Sequence, residues 1–160
     1  MLSPHVKVVA IDPGLYGAYA ILGFEGEFIS CDELPRAGSM LNYVEIGRIL
    51  TANMPERIVI ERVGAMPKQG VSSTFTFGTA YGICLGAAGS CGAEVSLVTP
   101  VLWKRYFRLT GKDKDASREL AIRLYPEAAG SLTLKRHHGR AEALLLARYA
   151  LCMESGENFT

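Results

Sequence analysis

The chain opens on a mostly apolar run, His5 to Ala10, that carries on through Ile11 to Asp12 before Pro13-Gly14 turns it. Runs of strand character follow at Gly17–Gly23 and Glu27–Leu34, with Glu25-Gly26 between them. Turns this short predict an antiparallel meander of three strands. After a loop at Pro35–Ser39, the segment Leu41–Asn53 places Leu41, Val44, Ile49 and Leu50 near helical spacing, and Pro55 lies just past its end. A fourth strand is predicted at Arg57–Arg62, where Ile58-Val59-Ile60 runs into Glu61. Val63–Gly70 is a loop. Val71–Gly92 then reads as one long helix rich in Gly, Ala and Ser, with Gly78, Gly82, Gly86 and Gly89 inside it. A helical glycine costs about 1 kcal/mol against alanine. Four of them imply that something packs very close, a second helix being the natural candidate.

A fifth strand is predicted at Glu94–Val98. Thr99-Pro100 has the form of an N-cap followed by proline at the first helical position, opening a short helix through Phe107. The loop Arg108–Lys114 follows. Asp115 is expected to cap a helix that runs to Tyr125 and is stopped by Pro126. Glu127–His138 reads as loop and Gly139–Glu154 as the last helix. This order, three hairpin-linked strands and then two strands reached through helical crossovers, predicts an α/β fold. Right-handed crossovers make the later strands parallel. The result is a mixed five-stranded sheet, an antiparallel three-strand meander plus two parallel strands, with helices on both faces. The fourth strand then lies beside the first, about 4.8 Å away, and Asp12 and Glu61 become neighbours at one sheet edge.

A length of 160 residues, 49% hydrophobic and 21% charged, fits a single domain spanning 1–160. No apolar run reaches membrane-spanning length, and the N-terminus shows no basic-then-apolar leader. A soluble, intracellular protein without membrane contact is expected. Cys31, Cys84, Cys91 and Cys152 lack zinc-type spacing and read as free thiols of a reducing compartment. Net charge is +1 but uneven: −3 over residues 1–100 and +4 over residues 101–160. The excess gathers in Lys104, Arg105, Arg108, Lys112, Lys114, Arg118 and Arg123. That cluster is either a patch for an anionic ligand or a solvated helix face.

The carboxylates carry the chemistry. Leu145, Leu146 and Tyr149 lie three, four and seven positions after Glu142 and share its helix face, so Glu142 points where a core is expected. Each acid has an ordinary alternative. Asp12 before Pro-Gly suits a turn, Glu61 can pair with Arg62, and Glu142 suits the first turn of a helix. Together, two acids at strand ends and one on a helix facing that edge repel one another unless a cation joins them. Hard oxygen ligands in small number suit Mg²⁺ or Mn²⁺. Two such ions roughly 3.5–4 Å apart would clamp the attacking water and the leaving oxygen of a phosphodiester. His138, four residues before Glu142, is a candidate ligand or proton carrier; His137 beside it is the weaker one.

Several motifs in this order make the chain resemble a RuvC-type Holliday junction resolvase of the small phage-like kind, within the ribonuclease H superfamily. They are Ile11-Asp12-Pro13-Gly14, then Ile60-Glu61-Arg62 followed by Gly70, Gly78 and Gly82. Pro100 with Lys104, Asp113-Lys114, and His138-Gly139-Arg140-Ala141-Glu142-Ala143-Leu144 complete the set. The resemblance implies a ribonuclease H-like fold and a metal-dependent endonuclease on branched DNA, acting with two Mg²⁺ or Mn²⁺ ions. It implies a homodimer through the glycine-rich helix 71–92, and a cytoplasmic, nucleoid-associated place, or the host cytoplasm for a phage-encoded copy. Asp12, Glu61 and Glu142 match three of the four acidic positions of such enzymes. The fourth falls on Gly139 or His138, and His138 is the substitute expected. Lys104 and Lys114 match positions that hold phosphates, and Arg105, Lys112 and Arg140 add charge nearby. The loop after Glu61, where such enzymes often carry a stacking aromatic, here holds Gly64-Ala65-Met66. Met66, Lys68 and Gln69 remain there as DNA contacts, and Phe75 and Phe77 are expected in the core. The alternatives are an inactive junction-binding protein and a nuclease acting on RNA–DNA hybrids. An actin-like phosphotransferase shares the Asp12–Gly17 pattern but needs a duplicated domain.

Overall fold

The computed structural model describes residues 6–65 and 67–159, so the expectations placed on His5 and Met66 lie outside the described residues. Seven strands and five α-helices follow one another in the order β1 (Val6–Asp12), β2 (Ala18–Gly23), β3 (Phe28–Glu33), β4 (Arg36–Ala37), β5 (Met40–Leu41), α1 (Tyr43–Asn53), β6 (Arg57–Glu61), α2 (Val71–Gly89), β7 (Glu94–Val98), α3 (Pro100–Tyr106), α4 (Lys114–Leu124) and α5 (His138–Ser155). The main sheet has the order β3-β2-β1-β6-β7. β1–β2 and β2–β3 are antiparallel, and β1–β6 and β6–β7 are parallel. This is the mixed sheet expected, with strand four beside strand one.

Helices cover both faces. Along β1, Val8 and Ala10 enter the core shared with Trp103 of α3, Leu120 of α4 and Leu144–Ala147 of α5. Val9 and Ile11 enter the opposite core with Ile46 and Leu50 of α1 and Ala80, Cys84 and Ala88 of α2. Beneath α5 the sheet presents Ala10, Ala18 and Ala20, and the helix answers with Ala141, Ala143 and Ala147. Small residues on both sides bring α5 close to the strands. Burial pushes the Cys31 thiol up to about 11 and the Cys84 thiol up to about 12. Among the described residues no helix is long and apolar enough to cross a membrane.

Several boundaries differ from the expectation, each for a local reason. Pro35–Ser39 is not plain loop: Arg36–Ala37 pairs with Met40–Leu41 in a small hairpin around Gly38, which adopts φ 62°. α1 therefore starts at Tyr43, with the Asn42 side chain accepting from Glu45 N at 3.1 Å. The long glycine-rich helix ends at Gly89 rather than Gly92. Asp113, not Asp115, caps α4, accepting from Ala116 N at 3.0 Å. Asp115 pairs instead with Arg118 at 3.2 Å and Lys135 at 3.4 Å. Thr99 stands at the N-cap of α3 but makes no side-chain capping bond. The stretch read as loop after Pro126 holds two 3₁₀ turns, Pro126–Ser131 and Lys135–His137. Phe75 is 76% exposed, not core.

Candidate active site

Strand periodicity decides where the acids point. Side chains alternate along a strand, and Val8 and Ala10 face α5, so Asp12 at the end of β1 turns the same way. On β6, Val59 faces α5 while Ile58 and Ile60 face α2, which sends Glu61 to the α5 side as well. β1 and β6 run parallel with Ile11 opposite Ile60, so both acids leave the sheet at one edge. The β1–β2 turn is drawn tight there. Gly17 N donates to Gly14 O at 3.0 Å, and a Cβ at Gly17 would fall 2.2 Å from the Asp12 carbonyl oxygen. No other residue fits at 17 without moving the backbone of Asp12.

α5 supplies the third acid. It begins at His138, one residue earlier than expected, which puts Gly139 and Glu142 on its first turns. A Cβ at Gly139 would lie 3.6 Å from Asp12 Oδ2 and 3.7 Å from Ala18 Cβ. The helix thus faces the Asp12 carboxylate with a residue that has no side chain. Glu142 Oε1 meets Lys104 Nζ at 3.2 Å and Ser117 Oγ at 3.5 Å. Glu61 is 8% exposed and its Oε2 accepts from Trp103 Nε1 at 2.7 Å. Among the described residues, no hydrogen-bond donor meets the Asp12 carboxylate, so the turn role open to it is not the one adopted. Glu61 likewise bonds Trp103 rather than Arg62.

The electrostatics tie the three acids together. Burial, then the charges of Glu61 and Glu142, push the Asp12 carboxyl well above its ordinary value, while Lys104 and Lys114 pull it down. Burial pushes Glu61 up; the Trp103 hydrogen bond and Lys104 oppose this, and Glu142 reinforces it. The cluster is short of positive charge. Its donor chemistry, hard carboxylate oxygens in a partly desolvated pocket, suits a divalent cation. The side chains do not form a closed cage as they stand: among the described residues no three His, Cys, Asp or Glu groups converge as a metal site. The cause is visible in the contacts, since Glu142 is drawn to Lys104 and Glu61 to Trp103.

His138 sits on the same end of α5 but is held by other partners, Lys114 Nζ at 3.3 Å from Nε2 and Lys135 O at 3.4 Å from Nδ1. His137 is buried, and its Nδ1 accepts from Leu134 N. Lys114 is exposed and Lys104 half-buried. Arg105 and Lys112 are exposed, and neither forms an ion pair among the described residues. Lys68, at φ 67°, is exposed beside the half-buried Gln69, which lines a cleft with Asp12. Arg140 is placed elsewhere: its guanidinium pairs with Asp32 at 2.9 Å and Glu33 at 3.5 Å and donates to Ser131 O at 3.2 Å. Two residues escaped the sequence reading, namely Trp103 and Ser117, whereas Gly139 is read there as a place of the replaced acid. Trp103 carried a signal, because it is the single tryptophan of the chain, next to Lys104, and a buried indole N–H needs an acceptor.

Sheet order, crossovers and the carboxylate-bearing edge define a ribonuclease H-like fold of the RuvC type. The structure of Thermus thermophilus RuvC is similar to this chain with a TM-score of 0.65, over 94% of this chain and 97% of that one, at 19% identity. The fowlpox virus Holliday junction resolvase is similar with a TM-score of 0.63, over 92% and 98% of the two chains, also at 19% identity. In sequence, the chain is 37% identical over 94 residues to the chloroplastic Holliday junction resolvase MOC1 of Chlamydomonas reinhardtii. That stretch takes in 57% of this chain and 11% of that protein. No family model matches the chain.

Proposed function

We propose that this chain is a divalent-metal-dependent endonuclease that cuts Holliday junctions or other branched DNA. The observation that carries the proposal is that the fold brings Asp12, Glu61 and Glu142 to one sheet edge, near enough that the charges of Glu61 and Glu142 raise the Asp12 carboxyl, although the three side chains do not yet close on one point. The likeness to two resolvase structures and to a resolvase sequence supports the choice of substrate. Asp12, Glu61 and Glu142 would hold Mg²⁺ or Mn²⁺, which when bound polarises a phosphodiester and activates water for in-line displacement. Trp103 fixes Glu61 by its indole N–H, so one carboxylate oxygen is oriented before any ion arrives. Lys104 pairs with Glu142 at 3.2 Å and, with Glu142 engaged by a metal, would be free to meet a phosphate oxygen. Because the Lys114 ammonium can only donate, His138 would accept at Nε2 and keep its proton on Nδ1 toward Lys135 O, an arrangement that would hold Lys114 at the mouth of the site. With Arg105, Lys112 and Lys68 it supplies the ionic contact that DNA requires. A second copy of the chain, packed on the glycine face of α2, would present two such sites to two strands.

Cleavage of synthetic four-way, three-way, flap and linear duplexes in parallel, with Mg²⁺ and Mn²⁺, tests the proposal. The branched substrates should be cut and the linear duplex spared. A second reading has its own observation: the empty position at Gly139 removes a ligand beside Asp12. On that reading the chain binds junctions without cutting them, and tight binding with no product in either metal would select it.

A further inference from the structure

The cleft on Asp12 is larger than a metal ion requires. It encloses about 430 Å³ between the β1–β2 turn and the start of α2. Its α2 wall includes Ser72, Ser73, Thr76 and Phe77, of which Ser72 and Thr76 lie four apart on one helix face, and Gln69 adjoins it just before the helix. Hydroxyls on α2 divide into two groups. Thr74 and Thr79 bond back to the helix carbonyls of Gly70 and Phe75 at 3.0 and 2.8 Å. Ser72 and Thr76, on the cleft side, bond to nothing within the chain among the described residues. The opposite wall carries Tyr16, a large aromatic left 77% exposed. The Arg36 guanidinium lies over its ring, 4.6 Å from the centroid. Among the described residues Arg36 has no acidic partner, while the nearby Asp32 and Glu33 are taken by Arg140.

A water-exposed aromatic under a cation, facing solvent-open hydroxyls free of intrachain bonds across a cleft that reaches the Asp12 proposed to hold a metal, suits a flat heteroaromatic group joined to a phosphate. We propose that this cleft receives one unstacked DNA base next to the phosphodiester held at Asp12. Tyr16 is its stacking surface, Arg36 meets the neighbouring phosphate, and the Ser72–Thr76 face of α2 reads its edge. Every base has a π-face that an aromatic side chain can take, and hydrogen bonds then discriminate among bases. The inference rests on the nuclease reading, deepens it, and makes Tyr16 and Thr76 determinants of sequence preference.

The test uses full-length protein and four-way junctions carrying a single 2-aminopurine at successive positions along the strand to be cut. Wild type should raise the fluorescence at one position beside the cut site. Tyr16→Phe should keep the signal, and Tyr16→Ala should need about tenfold more protein to reach it, in line with the usual strength of base–aromatic stacking. Thr76→Val should alter the ranking of junctions that differ at that base. Tyr16 is exposed, so its replacement leaves the core intact. No signal at any flanking position, or equal signals from wild type and Tyr16→Ala, would overturn the inference. The fluorescence needs no cleavage, so a protein that binds junctions without cutting them would overturn the nuclease reading alone.

Discussion

Trp103 does more for the site than its place in the core suggests. It is fully buried and gives its only polar hydrogen to Glu61 at 2.7 Å. Trp103→Phe keeps most of the apolar volume and leaves a buried carboxylate without its donor. A hydrogen bond to a charged group contributes about 1.5–3 kcal/mol, and chemical denaturation should show a loss of that size. Asp12 gives the opposite sign. Its proton, like that of Glu61, is held more tightly in the folded chain than in the unfolded one. Without divalent ions, the resulting stability is complete below the ordinary values of 3.8 and 4.5 and is lost as pH rises through the higher folded-state values. Thermal melts should therefore show the metal-free protein weakening above that range and Mg²⁺ or Mn²⁺ restoring it. Asp12→Asn should flatten the slope and raise Tm at neutral pH by roughly 3–10 °C, the shift that about 1–3 kcal/mol produces in a chain of this size. A neutral-pH melt unchanged by Asp12→Asn would contradict the burial of an unbalanced charge at this position.

At the scale of elements, α2 is the one whose sequence looks poorest for its structure. Ala80, Cys84 and Ala88 form its buried stripe, and Gly78, Gly82 and Gly86 run along the opposite side, where a Cβ would meet nothing within 4 Å. Among the described residues nothing approaches this stripe, which leaves it open to the second copy proposed above. Gly82→Ala should stabilise the isolated chain by about 0.8–1 kcal/mol and weaken a dimer packed through α2. Melting and sedimentation on the same sample separate the two effects, and a dimer unaffected by the substitution would place any interface elsewhere. The larger elements were legible because their periodicity is simple: β1 and β6 are apolar runs ending on an acid, and α5 keeps its apolar face for four turns. The misplaced features depend on partners that local pattern does not reveal. Asp113 and Asp115 are equally good caps by residue type, and the pairing of Asp115 with Arg118 and with the distant Lys135 distinguishes them. The chemistry of Phe75 suits a core, yet the helix phase that buries Ala80 and Cys84 turns it outward.

Across the whole molecule, the fold gathers groups from places far apart in sequence: Asp12 from the first strand, Glu61 from the fourth of the main sheet's five, Glu142 from the last helix. That gathering was readable from strand order and side-chain alternation alone. The details that tune it were not, since the Trp103–Glu61 and Lys104–Glu142 contacts and the bare position at Gly139 exist only after α3 and α5 have docked. The basic half of the chain also divides on folding. Arg118, Arg140 and Arg148 are tied to carboxylates, and Arg105, Arg108 and Lys112 stay without ion pairs among the described residues. The central claim is that the three acids share a divalent cation, and Mn²⁺ binding followed by calorimetry or electron paramagnetic resonance measures it without any substrate. Wild type should take up Mn²⁺ stoichiometrically, and Asp12→Asn, Glu61→Gln and Glu142→Gln should each weaken the uptake at least about tenfold, a loss of about 1.4 kcal/mol. Equal Mn²⁺ binding by wild type and all three variants would contradict the account.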